Sequence, residues 1–410
     1  MNGIDIGSVI RGARSAARMT QNQLGEKVGY SGSAISRIES GRLRPDWDTV
    51  ARIAMVLNIA PGQLGLQEGT VRRRELLAGA AGVGITLAGL PAVAAAAPGP
   101  TTGAPASGLE VALFSLPAVE AVPLPKLVRG LAAARAEFTG ARYGALGARL
   151  PALLAAAEAA RDAASGQARE RAQAAVARGY VLATELALKE HSEIAWATAD
   201  RALAAARTSG DPIVLGEATR VLAITMRRAG RTGAAVDLLR RTATGLDDDA
   251  RQRAVGATLL MTAAYTAATS SQRADALDLM GGAEESVRAL SAGPGGPLYT
   301  VDASSAQADL YWVGIHNALG TPDEGVGYAQ RLTAVRWPTV ERTARAGTDV
   351  ARMWQQLGDP RRTFAALRQV EQAAPEEVRR PALRAMTSSL LYGPTALPGL
   401  REFAQRTGAI

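Results

Sequence analysis

The chain contains no cysteine and only two histidines, and both shortages restrict the catalytic and metal-binding sites that it could form. Without cysteine it has no disulfides, no thiolate metal ligands and no cysteine nucleophile. His191 and His316 lie far apart in the sequence, each on a predicted helix. For each we favour an ordinary exposed or hydrogen-bonded histidine. We therefore expect no metal site and no cofactor.

Aromatic residues are also scarce, at 4% of the chain, whereas hydrophobic residues reach 47% and alanine dominates them. Such a core suits closely packed helices better than an aromatic-rich sandwich of strands. The composition therefore predicts an all-α fold. A length of 410 residues indicates at least two domains.

Three common catalytic motifs are missing from the sequence. It has no phosphate-binding glycine loop ending in Lys-Ser/Thr, no His-Glu-x-x-His and no Gly-x-Ser-x-Gly nucleophile turn. Nothing in the residue pattern indicates a substrate. We therefore expect that the protein is not an enzyme.

The most informative stretch of the chain runs from Thr20 to Pro45 and predicts two short helices around a tight turn. Thr20 and Gln23 have the spacing of a reciprocal helix cap, in which hydroxyl and amide satisfy exposed backbone donors. Leu24 and Val28 follow, four positions apart, and give the first helix one apolar stripe. Gly29 then ends this helix.

The second helix of the pair is predicted from about Gly32 to Ser40, capped by Ser31 and ended by Gly41. The pattern buries one set of side chains and turns another outward. The buried residues are Ala34, Ile35 and Ile38, and the outward residues are Ser33, Ser36 and Arg37.

Further helices are predicted on both sides of this pair. A first helix over residues 5–17 places Ile6, Ile10 and Ala13 on one face, and leaves Arg11, Arg14 and Arg18 available to DNA or to solvent. A fourth helix begins after Asp46 as its cap, and a short fifth helix covers residues 60–64. The buried stripe of the fourth helix is Val50, Ile53, Ala54 and Leu57.

This stretch resembles the lambda-repressor-like, XRE-family helix-turn-helix domains over roughly residues 5–66. The resemblance implies a five-helix domain with residues 31–40 as the recognition helix in the major groove. The positions that carry the pattern are Gln21, Leu24, Gly29, Ser31, Ile35, Ser36, Arg37, Ile38, Glu39, Gly41 and Pro45.

The resemblance also implies a set of DNA contacts. Gln21 would hold a phosphate, and Arg42 and Arg44 would reach the phosphate backbone. The remaining implied contacts lie on the recognition helix and are Ser31, Gly32, Ser33, Ser36 and Arg37.

Gly32 and Arg37 leave open how the recognition helix would contact the DNA bases. Many relatives place a long polar residue at the position of Gly32, so we expect base readout to rest mainly on Arg37, gripping guanine in a bidentate way. The alternatives are that Arg37 pairs with Glu39 or with a phosphate. We expect Glu39 to be a structural partner inside the domain, because its carboxylate would repel DNA.

The distribution of charge favours the same interpretation. The net charge is +8 and the pI about 10.1. Residues 1–74 hold 11 Lys plus Arg against 6 Asp plus Glu, whereas the rest of the chain holds 35 against 32. The positive excess is therefore concentrated where phosphate would be bound. Arginine supplies nearly all of it, which is typical of a GC-rich genome, and the family resemblance is to regulators of the actinobacterial type.

Residues 72–97 form a segment with three arginines and then an Ala/Gly-rich apolar run, similar to a twin-arginine export signal. It could be such a signal, a membrane anchor, or an apolar linker helix that packs on protein. Four glycines lower its hydrophobicity, and export would separate the preceding domain from DNA. We therefore favour the linker helix and a cytoplasmic protein. The proline-rich stretch over residues 91–125 is predicted to be a connector without a folded unit.

From residue 124 to residue 410 the sequence resembles an α-solenoid of tetratricopeptide-like helix pairs. Second helices of the pairs are predicted to begin near residues 192, 232, 272, 322, 360 and 396, with Gly-Asp-Pro breaks at 210–212 and 358–360. The predicted domains are thus 1–66, a linker over 67–123, and 124–410. Acidic clusters at 247–249 and 376–377 are interpreted as helix-start charges.

Together these features predict a sequence-specific transcriptional regulator that binds double-stranded DNA as a homodimer. Its repeat domain would dimerise and sense a ligand, peptide or protein effector on a concave surface. The alternative is a protein-interaction scaffold or membrane-attached adaptor with secondary DNA binding. Aromatic candidates for the groove are Trp196, Tyr265, Tyr311, Trp312, Trp337 and Trp354.

Overall fold

A computed structural model describes residues 6–28, 30–41, 43, 45, 47–57, 59, 107–247, 249–290, 298–300 and 302–410. Over these ranges the protein is helical and has no strand, which confirms the all-α prediction. Chain contacts divide it into two units, Met1–Gly103 and Ala104–Ile410. Among the helices of the described ranges, none combines the length and the apolar character needed to cross a membrane. The apolar segment 72–97 lies outside the described residues.

The first unit contains four described helices, and their caps follow the sequence pattern. They are α1 (Ile6–Ala16), α2 (Gln21–Val28), α3 (Gly32–Glu39) and α4 (Trp47–Leu57). The Thr20 N–H donates to Gln23 Oε1 at 2.8 Å, and the Gln23 N–H donates to Thr20 Oγ1 at 3.2 Å. Ser31 Oγ accepts from the Ala34 N–H at 3.2 Å, so the predicted caps of α2 and α3 are confirmed, whereas the predicted cap Asp46 lies outside the described residues. The predicted fifth helix lies outside the described residues.

One small apolar core holds these four helices together. Its centre is formed by side chains that the helical periodicity predicted, and Tyr30 joins it with its hydroxyl 2.7 Å from Thr49 Oγ1. Burying such side chains is the main stabilising contribution in a unit of this size. The fully or nearly fully buried members are Ile10, Leu24, Val28, Ala34, Ile35, Ile38, Val50, Ile53 and Leu57.

The turn between α2 and α3 depends on the absence of a side chain at Gly25. A Cβ placed there would lie 2.3 Å from the carbonyl oxygen of Tyr30, which is backbone and cannot rotate away. We therefore expect Gly25→Ala to lower the free energy of unfolding of this unit by about 1–3 kcal/mol. Amide hydrogen exchange across α2 and α3 would measure it.

Gly12 on α1 provides the matched control for this substitution. A Cβ at Gly12 has no neighbour within 4 Å. Gly12→Ala should therefore stabilise the helix by about 0.5–1 kcal/mol, because alanine loses less backbone entropy than glycine. Equal protection factors in the two variants would contradict the tight-turn argument.

The second unit contains fifteen α-helices within the described ranges. Helices α6 to α19 form seven consecutive pairs, and a short 3-10 turn, Glu377–Arg379, precedes the last pair. The bounds are α5 (Ser107–Phe114), α6 (Leu124–Thr139), α7 (Tyr143–Asp162), α8 (Gly166–Glu190), α9 (Ala195–Ser209), α10 (Pro212–Arg228), α11 (Thr232–Thr244), α12 (Ala250–Thr269), α13 (Arg273–Leu290), α14 (Ser305–Ala318), α15 (Val326–Leu332), α16 (Val340–Gln356), α17 (Pro360–Ala373), α18 (Pro381–Leu391) and α19 (Leu400–Thr407).

The positions of the second helices agree with the repeat spacing read from the sequence. Six of the seven second helices begin at residues 195, 232, 273, 326, 360 and 400, and the second helix of the first pair, α7, begins at residue 143. Both Gly-Asp-Pro breaks work in the same way. The glycine has a positive φ, the aspartate caps the next helix, and the proline is the first residue of that helix. The predicted helix pairs are therefore confirmed.

Residues 107–114 differ from the predicted connector. They form α5, whose Leu109 and Leu113 are buried in the core of the second unit, against α7. The expectation of a connector without a folded unit therefore does not hold for these residues. The prolines around this segment concealed a short helix that depends on contacts with distant residues.

The first helices of the first six pairs pack side by side and close into a ring. Helix α6 contacts α8, and the series continues through α10, α12 and α14 to α16, which contacts α6 again. One core cluster accordingly joins Phe138 and Leu150 from the start of the unit to Phe364 and Phe403 from its end. The expected concave surface is therefore the lining of a closed ring.

Candidate nucleic-acid interface and ring pocket

Helix α3 buries its apolar residues and turns its serines away from the core. Ser33 is exposed, and Ser36 and Arg37 are half-buried, as is the capping residue Ser31. The hydroxyls of Ser31 and Ser33 lie 3.0 Å apart, so they form a polar pair at the start of the helix. This outward face carries hydroxyl groups that donate and accept hydrogen bonds, as base edges and phosphates require.

The only acidic residue of α3, Glu39, is withdrawn from this outward face. Its side chain is fully buried and receives two hydrogen bonds from Arg14, Nε to Oε1 at 2.5 Å and Nη2 to Oε2 at 3.0 Å. Burial alone would raise the pKa of Glu39, but hydrogen bonds from Arg14 and Gln21 and the charge of Arg14 outweigh it and lower the pKa. Glu39 is thus a structural partner of α1, as the sequence analysis expected.

This ion pair changes the interpretation of the arginines on α1. Arg14 is only 14% exposed and is bound to Glu39, so it is not available to DNA or solvent as the helical pattern had indicated. Arg11 donates from Nη2 to the Glu39 carbonyl oxygen at 3.0 Å, and its side chain stays 55% exposed. Arg18 is exposed.

Gln21, the predicted phosphate contact, is tied to the same carboxylate. Its Nε2 donates to Glu39 Oε2 at 2.9 Å, which fixes the side chain at the start of α2. A phosphate would then meet the second hydrogen of this amide and the first-turn backbone of α2. The prediction that Gln21 contacts DNA stays a prediction.

Gly32 lies beneath the side chain of Asn22, a residue that sequence reasoning missed. A Cβ at Gly32 would lie 1.7 Å from Asn22 Oδ1 and 3.2 Å from the Asn22 backbone nitrogen. Asn22 is exposed, so its amide fills the space that a longer residue at position 32 would use. The glycine at position 32 was the sequence signal that could have indicated Asn22. A missing side chain at an interface implies that a neighbouring side chain occupies its place.

The remaining predicted contacts are only partly described. Arg37 lies on α3 with its Nε enclosed and its side chain half-buried. Arg42 and Arg44 fall outside the described residues. Within the described residues, α3 and the start of α2 therefore bring together Gln21, Ser31, Gly32, Ser33, Ser36 and Arg37, with Asn22 added.

The interior of the ring in the second unit holds a pocket of about 130 Å³. Side chains of α6, α8, α10, α12, α14 and α16 line it. Two of the predicted groove aromatics, Tyr265 and Tyr311, are among them. Trp312 instead packs in the core, stacked on His316 and Tyr328, with its Nε1 donating to Glu284 at 2.7 Å. Trp196, Trp337 and Trp354 are not part of this lining.

A buried charge network closes one side of this pocket. Lys189 on α8 donates to Glu341 Oε1 on α16 at 2.6 Å and to Glu377 in the 3-10 turn. Tyr143 donates its hydroxyl to Glu377, and Arg380 donates to the other Glu377 oxygen at 2.8 Å. The network therefore joins the first and last thirds of the second unit.

The acidic clusters and histidines have structural positions. Asp249 caps α12, accepting from the Arg251 and Gln252 N–H groups at 2.9 and 3.1 Å. Glu376 accepts from the Tyr143 and Gly144 N–H groups at 2.8 and 3.2 Å and so caps a helix distant in sequence. His316 is buried, with Nδ1 3.0 Å from Thr321 Oγ1, and His191 ends α8 in a left-handed conformation. In the described ranges, no group of His, Asp and Glu could hold a metal ion.

Comparison with known proteins bears on the first unit. A family model described as a helix-turn-helix domain matches residues 5–64. A search of curated proteins gives no match. Among solved structures the chain is similar to the crystal structure of Bacillus thuringiensis PlcR in complex with the peptide PapR7 and DNA. The identity is 15%, with 81% of this chain and 94% of that chain covered and a TM-score of 0.33. The family match alone identifies residues 5–64 as a helix-turn-helix domain, which supports a DNA-binding transcriptional regulator.

Proposed function

We propose that the protein is a sequence-specific transcriptional regulator that inserts α3 into the major groove of double-stranded DNA. The observation that carries this proposal is the placement of Glu39. Its carboxylate is buried and bound by Arg14, so no carboxylate of α3 itself faces outward, while Ser33 is exposed and Ser36 and Arg37 are half-buried. A helix that meets phosphate and base edges needs this distribution of charge.

Within this proposal Arg37 reads a base, and its replacement separates base contact from general attraction. We expect Arg37→Ala to weaken binding to the specific site by about 1–3 kcal/mol and to change binding to random DNA much less. Titration of both DNAs at the same salt concentration would measure the ratio. Equal losses on both would contradict base readout by Arg37.

Lys27 is the matched control for loss of positive charge. It is exposed near the end of α2, five positions before the first residue of α3. Lys27→Ala should lower the affinity for both DNAs together and leave their ratio unchanged, because a phosphate contact carries no sequence information. If Lys27→Ala lost as much specificity as Arg37→Ala, the two substitutions would not separate base readout from general charge attraction.

We also propose that the second unit dimerises through α5. Leu109 and Leu113 of this short helix are buried, yet Val111 is 74% exposed and Phe114 is 90% exposed, three positions apart on one helix face. An exposed aromatic beside an aliphatic side chain is typical of an interface anchor. Two-fold pairing would place two recognition helices on a near-palindromic site.

We expect Phe114→Ser to weaken this dimer about tenfold or more, because anchor residues contribute a large share of binding energy. Analytical ultracentrifugation of the full chain over a concentration series would measure the dissociation constant. Tyr392→Ser is the control, since Tyr392 is 86% exposed elsewhere in the same unit. Unchanged association in Phe114→Ser would contradict dimerisation through α5.

The third part of the proposal is that the second unit senses a ligand. Its ring encloses a pocket, and a ligand there would regulate DNA binding only by favouring one arrangement of the dimer over another.

A further inference from the structure

The charges that line the ring pocket are strongly unbalanced. Seven basic and three acidic side chains face it. The three acids are Glu185, Glu341 and Asp349. Most of the basic side chains come from α10 and α16, and the full set is Lys189, Arg220, Arg227, Arg228, Arg342, Arg345 and Arg380.

Each of these acids is already shared by two basic side chains. Glu341 is 2.6 Å from both Lys189 and Arg342. Glu185 is 2.6 Å from Arg135 and 4.0 Å from Arg220. Asp349 lies between two further arginines of α16, at 2.7 and 3.1 Å. Each carboxylate of the pocket is therefore already paired with basic side chains other than Arg227 and Arg228.

Arg227 and Arg228 have no such neutralising partner. No carboxylate of the described residues comes within 4.0 Å of either guanidinium. Arg227 is half-buried, lies 4.7 Å above the ring of Tyr265 and donates to Thr266 Oγ1 at 3.2 Å. Arg228 is exposed at the edge of the pocket. Two adjacent cations thus face a space that already holds an excess of positive charge.

The titration of nearby groups is consistent with this excess. The pKa of Arg228 is lowered to about 10, mainly because the side chain is partly removed from water and secondly because Arg380 and Arg227 repel its charge. Burial would raise the pKa of Tyr311, but the charge and hydrogen bond of Arg220, the hydrogen bond from Thr262 and the charge of Arg342 lower it to about 8. The lowered pKa of Tyr311 indicates a positive potential at its hydroxyl, whereas burial is the largest cause of the Arg228 shift and repulsion adds to it.

We propose that this pocket binds a small anion, or the anionic end of a larger ligand, through Arg227 and Arg228 at its open side. The shared chemistry is that of a carboxylate or phosphate group, which arginines bind with charge-assisted hydrogen bonds. A volume of about 130 Å³ admits one such group and a few additional atoms. The inference deepens the proposed ligand sensing and rests on it for its regulatory meaning.

The test uses the full chain and two probes, inorganic phosphate and succinate, each compared with sodium chloride at matched ionic strength. At least one probe should bind saturably by calorimetry with one site per chain. Tighter binding of phosphate than of succinate would favour a phosphorylated ligand, and tighter binding of succinate would favour a ligand with a carboxylate. Absence of saturable binding by both probes would overturn the proposal.

The variant Arg227→Gln/Arg228→Gln should weaken binding of that probe about tenfold or more. Because these arginines have no carboxylate partner, the variant should fold with unchanged or higher thermal stability in chloride alone. Arg207→Gln is the matched control, an exposed arginine at the end of α9 outside the pocket. Equal affinity in the double variant and the parent chain would overturn the assignment to Arg227 and Arg228.

Tyr311 gives a readout confined to the pocket. Bound anion should raise its pKa from about 8, and the ultraviolet phenolate signal would report this. Tyr311→Phe should abolish the shift, and persistence of the same shift in Tyr311→Phe would show that another tyrosine gives the signal and would contradict the assignment to Tyr311. DNA affinity measured on the same samples keeps the two claims apart. Anion binding without an effect on DNA affinity would support the anion site but contradict its role in sensing. Failure of anion binding would contradict the anion site and would not affect the DNA-binding proposal.

Discussion

Replacing Glu39 with glutamine is expected to lower the free energy of unfolding of the helix-turn-helix unit by about 3–5 kcal/mol, because it leaves Arg14 charged, mostly buried and unpaired. The carboxylate accepts hydrogen bonds from both Arg14 and Gln21, so α1 and α2 lose their common partner on α3 at once. DNA binding should fall with the folded fraction. Amide hydrogen exchange of α1 and α3 in the full chain would measure the loss.

Glu26→Gln is the matched control for this change. Glu26 is an exposed acid on α2, and its substitution should alter stability by no more than about 0.5 kcal/mol. If Glu39→Gln and Glu26→Gln gave the same protection factors, the ion pair would not be what joins α1 to α3.

The lowered pKa of Glu39 gives this unit a specific dependence on acid. Because the folded-state pKa lies below the unfolded value of about 4.3, the contribution is fully present above that value. It is lost as the pH falls through the lower folded-state pKa. The Glu39→Gln variant should not show this part of the acid-induced loss.

The second large effect is expected at Lys189, which closes the ring. Lys189→Met should lower the free energy of unfolding of the second unit by about 3–5 kcal/mol, since it removes a cation from between the buried carboxylates of Glu341 and Glu377. Burial alone would raise the pKa of each carboxyl, and the surrounding cations outweigh it and lower both. The variant leaves each acid with one arginine only, Arg342 or Arg380.

Chemical denaturation followed by circular dichroism would measure this change. Lys126→Met is the control, because Lys126 is exposed on α6 and should tolerate the loss of its charge. We further expect faster hydrogen exchange in α8 and α16 than in α12, since the contact between the ends of the ring is lost. A stability equal to that of Lys126→Met would show that the network does not hold the ring closed.

Features set by neighbours in sequence could be predicted, and features set by distant residues could not. The Thr20–Gln23 cap, the Ser31 cap and the Gly-Asp-Pro breaks depend on spacings of two to three residues, so the printed sequence contains them. The starts of the second helices follow from the same local rules. Local sequence patterns therefore predicted the helix pairs and the position of α3.

The positions of Arg14, Asn22 and Lys189 follow from tertiary packing. Arg14 has the same sequence pattern as any exposed helical arginine, and only the packing of α1 on α3 places Glu39 beside it. Asn22 became a candidate only because Gly32 lies against it. The contact of Lys189 with Glu377 spans 188 positions, and helix periodicity contains no information about such a closure.

The central claim is that α3 faces outward to enter duplex DNA, and selection of bound sequences from a random duplex library by the purified full chain tests it most directly. We predict enrichment of a near-palindromic site whose affinity falls as salt rises. Retention of no DNA at low salt, or retention without any enriched sequence, would contradict the account.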